Sequence, residues 1–280
     1  MTSATVPAPV PAPVPAIVEP LRVERLNVRF AGVVALADVS FVVAPGTVHG
    51  LIGPNGAGKS TCFNVISGFY RATSGRVVLG GTDLMALRPH EVAARGLARA
   101  FQNIALSRRA SVFDNIILGR HHLMRSGFVS TGLRLPSAVR EHRRHAERAR
   151  EIADFLDLGG KLDILAGDLS YGDQKRVEVA RALAMEPTVL LLDEPTAGMN
   201  AEETHRMGQT IRQVRGTLGI SILLVEHDMG LVMSICDRVS VLDFGRLIAD
   251  GPPAQVKNDP EVIRAYLGMG DNDGHREATS

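Results

Sequence analysis

The run Gly53-Pro54-Asn55-Gly56-Ala57-Gly58-Lys59-Ser60 leaves this chain few folds to choose from. It fits the pattern G-x-x-x-x-G-K-[ST] in full. Such a loop works only between a strand and a helix. The apolar stretch 48–52 supplies the strand, and residues 61–68 have helical content ending in a glycine. Gly53, Gly56 and Gly58 are expected to give the loop its tight turn and to bring backbone N–H groups against phosphate oxygens with no Cβ in the way. Lys59 adds a point charge for β and γ phosphates. Ser60 offers a hydroxyl to a magnesium ion, and the helix start turns its positive end to the same phosphates. The loop is built for a nucleoside triphosphate.

The bulk numbers narrow the setting. At 280 residues the chain can bury a sizeable core. A formal charge of +1 gives no global basic field, so nothing in the totals points to nucleic acid or an anionic membrane as main partner. Cys62 and Cys236 lack metal-like spacing and read as reduced, small buried hydrophobes, although Cys62 follows Ser60 closely enough to be open to alkylation. No apolar run approaches the roughly 20 residues that span a bilayer. At a membrane, another chain must hold this one.

Residues 1–20 carry prolines at 7, 9, 11, 13, 15 and 20 and are expected to form an extended, disordered tail. A signal peptide is excluded by the missing basic n-region and by prolines throughout. Residues 21–268 read as one domain, and the polar segment 269–280 as a second disordered tail. Strand patterns lie at 26–30, 39–43, 48–52 and 76–79, which gives a mixed sheet around the nucleotide. Helical spacing follows at 111–123 and 137–158, with Ala149, Ile152, Ala153 and Leu156 on one face and Arg140, Arg143, Arg144, Arg148 and Arg150 on the other. That basic face is either solvated or meets an acidic partner or lipid headgroups. Apolar runs at 189–192 and 220–225 read as parallel strands covered on both faces, joined by a helix at 201–215. A hairpin from 239–243 and 245–249 closes the pattern.

Two further stretches carry chemistry. Asp193-Glu194 ends a buried strand, the edge where open parallel sheets bind ligands. Strand alternation sends the two side chains to different faces. Asp193 can hold the metal while Glu194 orients and deprotonates a water, the division of labour that phosphoryl transfer requires. An Asp-Glu pair alone is often a solvated turn; the upstream loop gives it meaning. Leu169-Ser170-Tyr171-Gly172-Asp173-Gln174 precedes a helical run at 175–185 and has the spacing of an N-terminal cap. An uncapped helix start there, with a serine hydroxyl and a glycine amide, is an anion site. It is most useful if it faces a triphosphate held by another subunit.

In their order, the phosphate loop, Gln102 in Ala100-Phe101-Gln102-Asn103, Leu169-Ser170-Tyr171-Gly172, Asp193-Glu194, Ala197-Gly198-Met199-Asn200 and Glu226-His227-Asp228 resemble the ATPase subunits of ABC transporters across residues 21–268. The resemblance implies an α/β P-loop NTPase of the ABC ATPase type. Its sheet core is mixed and parallel, with an N-terminal antiparallel β subdomain and an inserted helical subdomain at about 104–186. It implies that Gly53, Pro54, Asn55, Gly56, Ala57, Gly58, Lys59, Ser60 and Thr61 hold ATP, and that Ser60, Gln102 and Asp193 hold Mg2+. Gln102 would also sense the transmembrane partner. Ser170 and Gly172 would touch the γ-phosphate of the opposite subunit. Glu194 and His227 would be catalytic, and Phe30 would stack on adenine. The chain departs from the usual pattern at Tyr171 and Asp173, where Leu-Ser-Gly-Gly-Gln is common, and at Asn200, where Asp is common. The first two put the finer γ-phosphate contacts in question.

Those departures, together with the stretches 192–200, 225–233 and 262–268, look like the importer ATPases for branched-chain and related hydrophobic amino acids. The resemblance thus implies a peripheral protein at the cytoplasmic face of the membrane. Its partners would be permease subunits, a second ATPase subunit, identical or homologous, and indirectly a periplasmic or extracellular solute-binding protein. Nucleic acid is not expected. A soluble ATPase of this type acting on DNA or ribosomes would carry long coiled coils or two cassettes in one chain, and neither is present. A degenerate cassette that only binds ATP is opposed by intact Lys59, Asp193, Glu194 and His227. An ABC ATPase serving a different solute is the remaining alternative.

Overall fold

A computed structural model describes residues 19–101, 104–124 and 136–267. Gln102, both expected tails except Glu19 and Pro20, and residues 125–135 lie outside the described residues.

Strands β1 (Leu21–Phe30) and β2 (Val33–Val43) form an antiparallel pair, both longer than the sequence pattern indicates. The pattern hides their starts because each strand bulges. Arg25 (φ 47°) and Asp38 (φ 55°) take left-handed backbone, and the register shifts between Val23 and Leu26. Strand β3 (Val48–Ile52) then enters the second sheet and leads into helix α1 (Lys59–Ile66). Strands β4 (Ser74–Leu79) and β5 (Thr82–Asp83) complete a four-stranded antiparallel sheet in the order β2-β1-β4-β5. The short helix α2 (Pro89–Ala94) precedes strand β6 (Leu97–Ala100).

A helical block follows. Ser111 caps helix α3 (Val112–Gly119) through the Asp114 N–H, as its spacing from an acid three residues on dictates. The helix stops at Gly119, and residues 121–123 form a separate 3-10 turn; glycine is required at 119 because a Cβ there would lie 2.2 Å from the Arg181 carbonyl oxygen. Helix α4 (Pro136–Phe155) buries Ala149, Ile152 and Ala153 as its periodicity requires. Helix α5 (Tyr171–Leu183) packs against α3 at that close approach.

The second sheet is assembled by β7 (Val189–Asp193), helix α6 (Ala201–Leu218), β8 (Ser221–Val225), helix α7 (Met229–Ile235), β9 (Arg238–Asp243) and β10 (Arg246–Gly251). Helices α8 (Pro253–Val256) and α9 (Pro260–Leu267) close the described chain. The strand order is β10-β9-β3-β8-β7-β6, parallel except for the β9–β10 hairpin. Alternate residues of each parallel strand enter separate cores. Leu191 and Leu223 pack with Leu21, Leu36 and Phe63, whereas Leu190, Leu192 and Leu224 pack with Ile116, Ile152 and Ile211. Burial on both faces explains why β7 and β8 read as unbroken apolar runs. The order also brings the C-terminal ends of β3, β8, β7 and β6 side by side on one edge.

Candidate functional site

The loop after β3 is shaped by its neighbours. A Cβ at residue 53 would lie 2.0 Å from the Leu242 carbonyl oxygen, and one at residue 58 would lie 2.8 Å from that of Ala35. Gly53 (φ 147°) and Gly58 (φ 101°) take the positive-φ backbone expected of a tight loop, and packing on β9 and β2 adds a second reason for glycine at both places. Gly56, at φ 80°, faces open space and is required by its backbone conformation alone. Gly58 (φ 101°) is the N-cap of α1, and no side chain caps this helix. Lys59 is buried, and its Nζ donates to the carbonyls of Gly53 (2.6 Å) and Pro54 (2.8 Å). Burial pushes the Lys59 ammonium below its ordinary pKa, while Glu194 and Asp193 pull it back. The three groups therefore share one site.

Asp193 ends β7 buried. Its Oδ2 accepts from Arg99 Nη2 at 2.6 Å, and its Oδ1 has no hydrogen-bond partner among the described residues. A buried carboxylate oxygen without a partner among the described residues suits a hard divalent cation that takes oxygen donors, such as Mg2+, and Ser60 in the first turn of α1 is exposed to share it. Glu194 is placed by a sharper device than strand alternation. Its backbone turns to φ 47°, with its N–H held by the Val225 carbonyl at 2.9 Å. Its Oε1 meets His227 Nε2 at 2.7 Å, and the His227 ring is 45% exposed. Glu226, buried at the end of β8, fixes both flanks. One of its oxygens accepts from Thr196 N–H (2.8 Å) and Thr196 Oγ1 (2.6 Å), and the other from His227 N–H (3.1 Å). Backbone strain at Glu194 and this clamp together preorganise the pair.

At the start of α5, Ser170 is exposed and its Oγ accepts from the Asp173 N–H at 3.2 Å. The helix is therefore capped as the Ser-x-x-acid spacing predicts, with the Ser170 residue itself left exposed. Asp173 does not face outward but pairs with Lys161 and Arg176. Burial works against its ionised form, yet these partners outweigh burial and hold its carboxyl below the ordinary value. Gly172 is buried, and a Cβ there would meet Glu203 Oε1 at 3.1 Å. Lys175, also buried, feels Glu178, Glu226, Asp193 and Glu194, while burial lowers its pKa.

Phe30 is 44% exposed and meets Tyr70 edge-on at 5.4 Å. Cys62 is fully buried, with its thiol pushed up to about 12, so the expected alkylation there is corrected. Sequence reasoning missed Arg99, Tyr70, Lys175, the clamping role of Glu226, and Tyr266. Tyr266 on α9 lies against the Gly53 backbone, and burial raises its hydroxyl to about 12. A lone charge in the apolar strand 97–100 was the available signal for Arg99.

A family model described as "ABC transporter" matches residues 36–197. The chain belongs to the ABC transporter family. A second model, "Branched-chain amino acid ATP-binding cassette transporter", matches residues 246–269 of the cassette. The cassette is 40% identical over 248 residues to the high-affinity branched-chain amino acid transport ATP-binding protein LivG of Escherichia coli strain K12, covering 89% of this chain and 97% of that protein. It is 38% identical, with the same coverage, to the protein BraF of Pseudomonas aeruginosa, described in the same words. Among solved structures, the ADP conformation of MJ1267, an ATP-binding cassette of an ABC transporter, superposes with a TM-score of 0.78 at 33% identity, covering 89% of this chain and 99% of that one. As a member of this family the cassette binds nucleotide and hydrolyses ATP. No described helix of the cassette is long and apolar enough to cross a membrane.

Proposed function

We propose that this cassette powers an importer of branched-chain or related hydrophobic amino acids, working as a pair that closes over ATP and drives a permease. The observation that carries the reading is the meeting of Lys59, Asp193, Glu194 and His227 at one sheet edge, beneath a phosphate loop whose helix is left without a side-chain cap. In this site the uncapped start of α1 and Lys59 receive the phosphates of ATP. Glu194 orients the attacking water and takes its proton, and His227 holds the Glu194 carboxylate by its Oε1. Ser60 and Asp193, together with Gln102, would hold Mg2+, which would supply charge neutralisation on the phosphate oxygens. Phe30 receives the adenine ring, with Tyr70 bracing it.

Ser170 belongs to a different face and serves the ATP of a second cassette. The permease contact falls on the helical region of about 104–186, where a groove lined by Phe101, Leu118, His121, His122, Arg181 and Met185 lies beside the edge strand β6. The C-terminal stretch matching the branched-chain family and the similarity to LivG and BraF support the solute class. A solute-binding protein outside the membrane would deliver the solute, and the cassette would sit on the cytoplasmic face through its permease. Proteoliposomes holding the permease and this cassette test the reading. ATP inside should drive leucine uptake, and Glu194→Gln should keep ATP binding while losing about 10²–10⁴-fold in turnover, the share of a general base. Undiminished uptake with Glu194→Gln would contradict it.

A further inference from the structure

Strand β6 carries a single charge, Arg99, between Ala98 and Ala100. Its side chain is 9% exposed. Nη2 donates to Asp193 Oδ2 at 2.6 Å, while Nη1 donates to Asn64 Oδ1 at 2.8 Å and to Ser67 Oγ at 2.9 Å. The rings of Phe63, Phe69 and Phe101 surround the guanidinium at 5.6, 5.9 and 5.1 Å. These rings leave it little room to swing.

A buried ion pair is a poor way to gain stability, since apolar residues of similar volume commonly serve as well. Its use here is geometric. A carboxylate has two oxygens, and Arg99 takes only Oδ2. The other, Oδ1, is left buried and without a partner among the described residues. The second arm of the fork reaches the far end of α1, the helix whose first turn carries Ser60. One planar side chain thus registers the helix that bears the serine against the strand that bears the carboxylate. A lysine, with a single ammonium, has no fork to span both.

We infer that Arg99 is a positioning residue for the Mg2+ of the nucleotide: it fixes Asp193 relative to Ser60 so that Oδ1 alone is offered. The inference rests on the reading of Asp193 as the metal-side carboxylate.

ATP binding to the non-hydrolysing Glu194→Gln protein, titrated with Mg2+ and repeated in EDTA, separates the two ideas. Arg99→Met on that background should leave binding in EDTA within about twofold. It should raise the Mg2+ concentration needed for half-maximal tightening by about 10–100-fold, as loss of a partner that orients a metal ligand does. Arg99→Lys should recover part of that loss. Should Arg99→Met fold poorly, Asn64→Ala with Ser67→Ala withdraws only the other arm and should shift the Mg2+ requirement the same way by a smaller factor. Equal weakening with Mg2+ and in EDTA, or an unchanged or lower Mg2+ requirement, would overturn the inference. Asp193→Asn serves as the control. An unchanged Mg2+ requirement there would remove the Asp193 reading itself, whereas a shift there and none with Arg99→Met would remove only the role of Arg99.

Discussion

Helices α1 and α5 both begin where an anion could bind, yet they begin in opposite ways. Helix α1 has glycine at its N-cap, no side-chain cap and no acid in its first turn. Its positive end is left for a ligand, and Asp193, Glu194 and His227 of the same chain stand nearby. Helix α5 is capped by Ser170 and carries Asp173 in its first turn, itself matched by Lys161 and Arg176. The residues around it, including Met199, Glu203 and Arg206, contain no member of the phosphate loop. The first helix start is a receiver whose neighbouring charged groups all come from its own chain. The second has satisfied most of its own needs and leaves chiefly the exposed Ser170 for a further partner.

Three measurements press on that contrast. Lys59→Ala should strike the first region hardest. Losing the buried cation should weaken ATP binding by about 100-fold, the scale of a charge-assisted hydrogen bond left unmade, and unchanged affinity in a direct titration would misplace the receiver. Ser170→Ala should leave ATP affinity of the single chain unchanged and lower turnover of the assembled pair by about tenfold, as one neutral hydrogen bond in the closed state implies. If Ser170→Ala instead weakens ATP binding to the isolated chain, the two regions are not separate.

The third measurement concerns the foundation of the first region. His49 is buried in β3, with Nε2 at 2.8 Å from Ser240 Oγ, and burial lowers its pKa from 6.5 to about 4, followed by opposing effects of Asp250 and Arg238. The folded form therefore keeps His49 neutral after the unfolded chain has taken up a proton. Stability should fall as pH drops from about 6.5 towards 4 and stop falling from this cause below that. Between pH 7 and 5 the loss should be about 2 kcal/mol in denaturant titrations. His49→Gln should flatten that slope, and an identical slope would exclude His49 as its source.

What the sequence makes legible here is local. The phosphate loop, Asp193-Glu194 and Glu226-His227 are short runs whose spacing carries their chemistry, and β7 and β8 announce themselves because both their faces are buried. What it conceals depends on residues far apart in the chain. Arg99 acquires meaning only beside Asp193, which β6 and β7 pairing brings to it, and Asn64 of α1, which packs over that sheet. The early turns of β1 and β2 are masked by bulges at Arg25 and Asp38. The spacing Ser170-x-x-Asp173 predicts a cap correctly, but that Asp173 is tied to Lys161 and Arg176 follows from the packing of α5 and not from its sequence. Likewise Gly53 and Gly58 are held to glycine not only by their positive φ but by Leu242 and Ala35, residues no loop pattern mentions.

The difference between the two helix starts makes one central claim, that each nucleotide site is finished by Ser170 of another cassette. Light scattering on the Glu194→Gln protein with ATP and Mg2+, alone and with its companion cassette from the same transporter, tests this most directly. The account predicts the mass of two chains when ATP is present and of one when it is absent, with Ser170→Ala weakening the pair. A protein that binds ATP yet keeps the mass of one chain under both conditions would contradict it.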